Sequence, residues 1–316
     1  MDRKGAPRPP LLVVAGPTAS GKTELAVELA LALGAEIVGA DSMQVYRGLD
    51  IGTAKPGGGE LRGVAHHLVD VADPTEPFDA ARYAALADAA IADVAARGRR
   101  VVVAGGTGLY IRTLLHGLHG APAPEPALRA SLTERARAEG PPALHRELVA
   151  LDPKTAARLH PNDGVRIVRA LEVALATGVP ISDWQARHGF AQSRYDALLA
   201  RLERPRAELH RRIELRVTRM MAEGFLTEVR GLLAAGYGPE LRPMQGLGYK
   251  RLCQHLAGEL SLDDAVAKIT SDTKRFARRQ RTWFASEPKM EPVSPDAADL
   301  FLRAARFFEE RERGRS

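Results

Sequence analysis

A chain of 316 residues can bury a full core, and one large domain plus a smaller one is the natural division. The composition, 45% hydrophobic and 27% charged, is that of a globular protein, and no apolar run approaches the length that crosses a bilayer. The single cysteine, Cys253, excludes a disulfide framework and a cysteine-rich zinc site, and the net charge of +6 admits a polyanionic partner without requiring one.

The amino terminus lacks a secretory apolar stretch and residues 1–9 read as a loose leader, so a cytoplasmic location is expected. Leu11-Leu12-Val13-Val14-Ala15 then reads as a buried strand. It feeds into Gly16-Pro17-Thr18-Ala19-Ser20-Gly21-Lys22-Thr23, which fits G-x-x-x-x-G-K-[ST] at every fixed position. An apolar-periodic helix follows through Leu25, Ala26, Leu29, Ala30 and Leu33. In this setting backbone N–H groups and the positive helix end hold a phosphate. Lys22 reaches toward the outer phosphate, and Thr23 offers its hydroxyl to Mg²⁺.

Ala35–Ala40 is a second strand candidate and His67–Asp70 a short third. Residues 79–97 read as an alanine-rich helix, and Arg100–Ala104 as a strand apolar on both faces. Gly105-Gly106-Thr107-Gly108 turns into another helix. The alternation implies an α/β fold, with a P-loop NTPase-like parallel sheet core and ligands at the carboxyl ends of its strands. Gly120–Pro126 breaks the pattern, and residues 127 to about 190 read as helical, an inserted domain. Asp196–Leu202 is a possible return strand, and Pro205 opens a long helix toward Glu223. A helix over about 262–284 and a tail helix around 296–311 follow. The expected division is a catalytic core of 10–118 and 195–290, a helical insertion of 119–194 and a tail of 291–316.

Asp41 ends the second strand, near the phosphate loop if the two strands are neighbours. Its carboxylate suits a general base, a holder of Mg²⁺ through water, or a cap for the turn Ser42-Met43-Gln44. The strand ending at Ala104 carries no Asp, which weakens a plain ATPase reading. The turn with Thr107 suits close approach to a ligand or is a tight turn only. His66 and His67 point to opposite faces of a strand and do not share an ion easily. Arg212, Arg216 and Arg219 fall on one helix face, suited to pyrophosphate, to a nucleic-acid backbone, or to solvent. Lys274, Arg275, Arg278, Arg279 and Arg281 are interleaved with Phe276, Trp283 and Phe284, and so dense a charge favours an anionic partner such as RNA.

Taken together, the ordered segments resemble one family, the tRNA dimethylallyltransferases (isopentenylpyrophosphate transferases of tRNA). They are Gly16–Thr23, Asp41-Ser42-Met43-Gln44-Val45-Tyr46, Ile51-Gly52-Thr53-Ala54-Lys55-Pro56, His66-His67-Leu68-Val69-Asp70, Gly105–Tyr110, Asn162–Val173, Gly248-Tyr249-Lys250 and Thr273–Phe284. They span roughly residues 11–285; the last twenty or so carry no recognised motif, and the zinc finger of eukaryotic members has no counterpart. Gly246-Leu247 stands where the family usually has a small residue and isoleucine.

The resemblance implies transfer of a dimethylallyl group from dimethylallyl diphosphate to N6 of the adenosine 3′ of the anticodon (position 37) in tRNAs reading codons that begin with U. It implies tRNA, through its anticodon stem-loop, and dimethylallyl diphosphate as partners, Mg²⁺ as cofactor, no membrane association and a monomer. The loop, otherwise typical of ATP-binding proteins, then serves a prenyl diphosphate. By resemblance Asp41 is the base. Thr18, Lys22 and Arg216 stabilise the leaving diphosphate, with a further hydroxyl contact from Ser20, and Thr23 ligates the metal. Asp41, Ser42, Met43, Gln44 and Thr107 would meet the extruded base or its backbone, Gln44 as a bidentate partner for adenine. Arg129, Val165, Arg166, Ile167, Val168, Arg169, Gly248, Tyr249, Lys250, Lys274, Arg278 and Arg281 would hold the RNA. A small-molecule kinase and an RNA-binding nucleotide switch share the loop but leave the basic aromatic helix unexplained.

Overall fold

The computed structural model describes residues 8–118, 120, 125–189, 193–295 and 298–314. Most of the expected leader, residues 121–124 of the Pro-rich break and the first two residues of the expected tail helix lie outside them. The chain forms two compact units, residues 1–115 with 194–316, and residues 116–193.

In chain order the first unit contains β1 (Leu11–Ala15), α1 (Lys22–Leu33), β2 (Ala35–Gly39), α2 (Gly58–Leu61), β3 (His66–His67), α3 (Ala80–Ala96), β4 (Arg100–Gly105) and α4 (Gly108–His116). The second unit holds α5 (Pro126–Ala138), α6 (Pro141–Leu151), α7 (Pro153–Ala156), α8 (Gly164–Thr177) and α9 (Ile181–His188). The chain then returns through β5 (Ala197–Leu202), α10 (Arg206–Ala222), α11 (Phe225–Ala234), α12 (Tyr249–Leu256), α13 (Leu262–Ala285), β6 (Glu291–Val293) and α14 (Ala298–Arg313).

The six strands form one parallel sheet in the order β3-β2-β4-β1-β5-β6. Its central strands are apolar throughout because both faces are covered. Leu11, Val13 and Ala15 enter one core with Val101 and Val103, whereas Leu12 and Val14 enter the other with Val102. No helix among the described residues is long and apolar enough to cross a membrane.

Three expectations need correction. The third strand is only His66–His67, because Leu68 and Asp70 adopt φ of +65° and +57° and turn the chain away. His66 Nδ1 contacts Val64 O at 3.0 Å and His67 Nε2 contacts Glu36 Oε2 at 2.8 Å, so both histidines serve the fold. β2 and β1 are not neighbours, since β4 runs between them. The tail is also no separate element: Glu291–Val293 pairs with Ala200–Leu202, and Leu300, Ala304 and Phe308 of α14 fill the core beneath α1.

The second unit has its own core of Leu132, Leu144, Leu148, Ile167, Leu171 and Val173. Its helices start on local signals: Asp152 accepts from Thr155 N at 2.9 Å, and Asp163 from Arg166 N at 3.3 Å.

Candidate active site

A cavity of about 760 Å³ opens at the carboxyl ends of β1, β2 and β4. Its floor is the turn between β1 and α1, where Ala19 and Gly21 take φ of +63° and +93°. Such left-handed geometry at a non-glycine residue costs free energy, and here other elements hold it in place. Arg212 Nε donates to Ala19 O at 2.9 Å, and Arg204 Nε to Ser20 O at 2.6 Å. Arg216 Nη1 donates to Thr18 Oγ1 at 3.2 Å, and Thr18 N donates to Gln280 Oε1 at 2.8 Å.

Thr18, Ala19, Gly21, Lys22 and Thr23 line the cavity. Gly16, Pro17 and Ser20 do not. Ser20, expected to touch a ligand, is fully buried instead, with its Oγ beside Gly16 and without a hydrogen-bond partner among the described residues. Gly16 and Pro17 act as turn residues, and a Cβ on Gly16 would press on Leu202 at 3.3 Å.

The charge on this floor is unbalanced. Arg204 is paired with Glu208 and Arg219 with Glu223. By contrast, Lys22, Arg212 and Arg216 have no carboxylate within ion-pair distance among the described residues, and all three line the cavity. Burial pushes the Lys22 amine down to about 8; Asp41 opposes the shift and Arg216 adds to it. Burial, and then the Arg212 guanidinium, lower the pKa of Arg216, which stays a cation in water's accessible range. Desolvated cations without counter-ions favour an anion that supplies several oxygens at once.

Asp41 stands on the opposite wall with Ser42, Met43, Gln44 and Thr107. β4 would separate it from the phosphate loop, but that strand ends at Gly105 and is followed by Gly106, and neither carries a side chain to fill the gap. Any Cβ there would strike the Ala40 carbonyl or Gln280, and one at Gly108 would strike Trp283. The glycine turn is therefore a close-approach device. Thr107 N donates to Ala40 O at 3.0 Å, and Thr107 Oγ1 accepts from Ser42 N at 2.9 Å.

Asp41 Oδ1 accepts from Met43 N at 2.9 Å and Gln44 N at 3.4 Å, so the carboxylate does cap its turn. Oδ2 takes no hydrogen bond among the described residues. Gln44 departs from expectation. Its Nε2 donates to Thr53 O and Ala54 O, each at 3.1 Å, so its donor end serves the protein and it cannot read adenine with both ends of the amide. That loop is anchored by Glu228, which accepts from Asp50 N, Ile51 N, Gly52 N and the Tyr249 hydroxyl.

The expected RNA contacts divide sharply. On α13 Arg278 and Arg281 are exposed and without an ion pair among the described residues, whereas Lys274 is paired with Glu214. Lys250 is exposed, but Tyr249 is fully buried and hydrogen-bonded to Glu228, and Gly248 is a buried turn packed on Phe225. In the second unit Val165 is 84% exposed, and Arg166 is exposed beside Asp163. Ile167 and Val168 face that unit's core, so their side chains do not reach a ligand. Arg129 and Arg169 both compensate the buried Glu172, at 2.6 Å and 2.7 Å. Sequence reasoning missed Gln280, Glu228 and Arg204. Gln280 left one trace, a polar residue on the buried helix face between Ala277 and Phe284.

A parallel α/β core with a glycine phosphate loop, cations that meet no carboxylate among the described residues and a facing carboxylate suits an enzyme that handles a phosphate or diphosphate group. The IPP transferase family model matches residues 44–287, and the chain belongs to that family. Relatives include tRNA dimethylallyltransferase 1 of Trichlorobacter lovleyi, 50% identical over 95% of this chain and 99% of its own. The tRNA dimethylallyltransferase of Anaeromyxobacter sp. is 57% identical over 93% of this chain and 98% of its own. The crystal structure of the full-length tRNA isopentenylpyrophosphate transferase of Bacillus halodurans superposes with a TM-score of 0.71 at 34% identity, covering 97% of this chain and 99% of that one.

Proposed function

We propose that this protein transfers a dimethylallyl group from dimethylallyl diphosphate to N6 of the adenosine 3′ of the anticodon in tRNA, at position 37 of tRNAs reading codons that begin with U. The observation that carries the assignment is one cavity in which Lys22, Arg212 and Arg216, none with a carboxylate within ion-pair distance among the described residues, face the Asp41 wall. One side suits a departing diphosphate and the other a purine amine.

In this reaction the bond from N6 to the allylic carbon forms as the carbon–oxygen bond to diphosphate breaks. The N6 proton passes to Asp41, and both electrons of the broken bond leave on diphosphate. The adenine amine is a poor nucleophile because its lone pair is delocalised, so alignment and proton removal supply much of the acceleration. Lys22 and Arg216 stabilise the growing charge on the leaving group, and Thr18 orients Arg216 through their hydrogen bond. The target base reaches the cavity by leaving the anticodon-loop stack, at a cost of a few kcal/mol.

No group of three or more His, Cys, Asp or Glu side chains among the described residues could hold a metal. The Thr23 hydroxyl on the cavity wall fits a hard cation shared with diphosphate oxygens. Bound there, Mg²⁺ would offset leaving-group charge. In the first unit the exposed cations of α13 and Lys250 are proposed RNA contacts, and in the second unit Arg166 is. The protein is proposed to act as a cytoplasmic monomer on free tRNA.

The direct test is incubation with dimethylallyl diphosphate, Mg²⁺ and unmodified tRNA, followed by nucleoside mass spectrometry. Isopentenyladenosine is the expected product; transfer of the ATP terminal phosphate in its absence would replace this reading with a kinase.

Because the diphosphate binds protonated Lys22, kcat/KM for dimethylallyl diphosphate should fall as pH rises through about 8, the Lys22 value. Lys22→Arg should carry that decline to higher pH. A flat profile across this range contradicts the assignment. Neutralising Arg278 and Arg281 together should reduce the salt slope of tRNA binding by roughly 1–2. An unchanged slope would place the RNA elsewhere.

A further inference from the structure

We propose that Gln280 is a positioning residue whose buried amide fixes the spacing between the phosphate loop and the Gly105–Gly108 turn, and thereby the alignment of the two reactants. The inference rests on the transfer reaction above.

Gln280 lies on the inner face of α13 and is 7% exposed. Its Oε1 accepts from Thr18 N at 2.8 Å, and its Nε2 donates to Gly106 O at 2.8 Å. One planar group thus ties together the two turns that carry opposite walls of the cavity. Each turn has a short path to a reacting group. Thr18 Oγ1 holds Arg216, and Thr107, next to Gly106, holds the Asp41 turn through Ser42 N. Gly106 has no side chain where Gln280 Nε2 sits, so the bridge fits only this pair of turns. Gln280 also lines the cavity, but each polar atom of its amide makes a bond inside the protein, and the role proposed for it is exerted through these neighbours. Among side chains of this length an amide pairs an acceptor and a donor on one carbon at every working pH, whereas a carboxyl does so only when protonated. Met removes both bonds, and Glu in its ionised form keeps the acceptor toward Thr18 but turns an oxygen toward the Gly106 carbonyl.

The test compares wild type, Gln280→Met and Gln280→Glu in single-turnover transfer with saturating tRNA and dimethylallyl diphosphate. Hydrogen exchange at the Thr18 amide is followed in parallel. In both variants the rate constant should fall about 30- to 100-fold at full amplitude, as expected for a misaligned reacting pair. Affinity for tRNA and KM for dimethylallyl diphosphate should stay within about threefold. Thr18 exchange should be slow in wild type, fast in Gln280→Met and still slow in Gln280→Glu. A wild-type rate constant at reduced amplitude would mean that Gln280 supports only the folded fraction, and would overturn the proposal. So would a loss confined to binding, or fast Thr18 exchange in the wild type. Absence of transfer by the wild type would instead overturn the reaction, while the exchange measurement still judges the bridge.

Discussion

Asp41→Ala should lower the single-turnover rate of prenyl transfer by about 10³-fold while tRNA affinity changes only a few-fold. Alanine removes two things at once, the free Oδ2 and the Oδ1 that caps Met43 N and Gln44 N. Asp41→Asn separates them. Asparagine keeps an acceptor for the two backbone donors, so the turn that places Ser42 and Met43 on the cavity wall survives. It has no basic oxygen to receive the N6 proton. If Asp41 acts as the base, Asp41→Asn is nearly as slow as alanine yet as stable as wild type. If the asparagine variant transfers at close to the wild-type rate, the carboxylate is a turn cap and the proton leaves by another route.

A second large effect is expected at Arg216, where activity and stability should move in opposite directions. Arg216→Gln should slow transfer by about 10²- to 10³-fold, the usual loss when one donor to a developing anion is removed. The same change should raise the melting temperature of the ligand-free protein by about 1–2 °C, equivalent to roughly 1 kcal/mol in a chain of this size. The reason is electrostatic. The guanidinium is buried beside Arg212 and Lys22 with no carboxylate within ion-pair distance among the described residues, and the more distant Glu60 and Asp41 offset its burial only in part, so without a ligand it is a destabilising charge. Addition of inorganic pyrophosphate should reverse the ranking, stabilising wild type more than the variant. A variant that melts below wild type in the absence of pyrophosphate would show that Arg216 is structural in the free protein.

Features written in short, local patterns were legible in the sequence. The apolar run of β1, the glycine loop after it, the second strand–turn at Gly105–Gly108 and the cation density of α13 each declare themselves within a dozen residues. What escaped was long-range. β6 is three residues with a proline at its centre, too short for any periodicity, and exists because β5 offers it an edge. The order of strands places β4 between Asp41 and the loop, and the missing side chains of Gly105 and Gly106 restore the proximity that a neighbouring strand would have given. Helical spacing separated the faces of α8 only partly. Val165 is outward, whereas Ile167 and Val168 are core, and Arg169 balances a glutamate that burial requires to be paired. Gln280 and Glu228 acquire meaning only through partners far away in the chain, so no local pattern specifies them.

The sheet order also bears on biosynthesis. The strand made first, β1, lies between β4 and β5, so Leu11–Ala15 keeps one edge unpaired until the ribosome has delivered Ala197–Leu202. All of the helical unit is translated in that interval. The nascent polypeptide therefore exposes a five-residue apolar edge throughout that interval, a condition that invites chaperone capture or aggregation. Slow translation or overexpression should burden this enzyme more than one whose first strand pairs early.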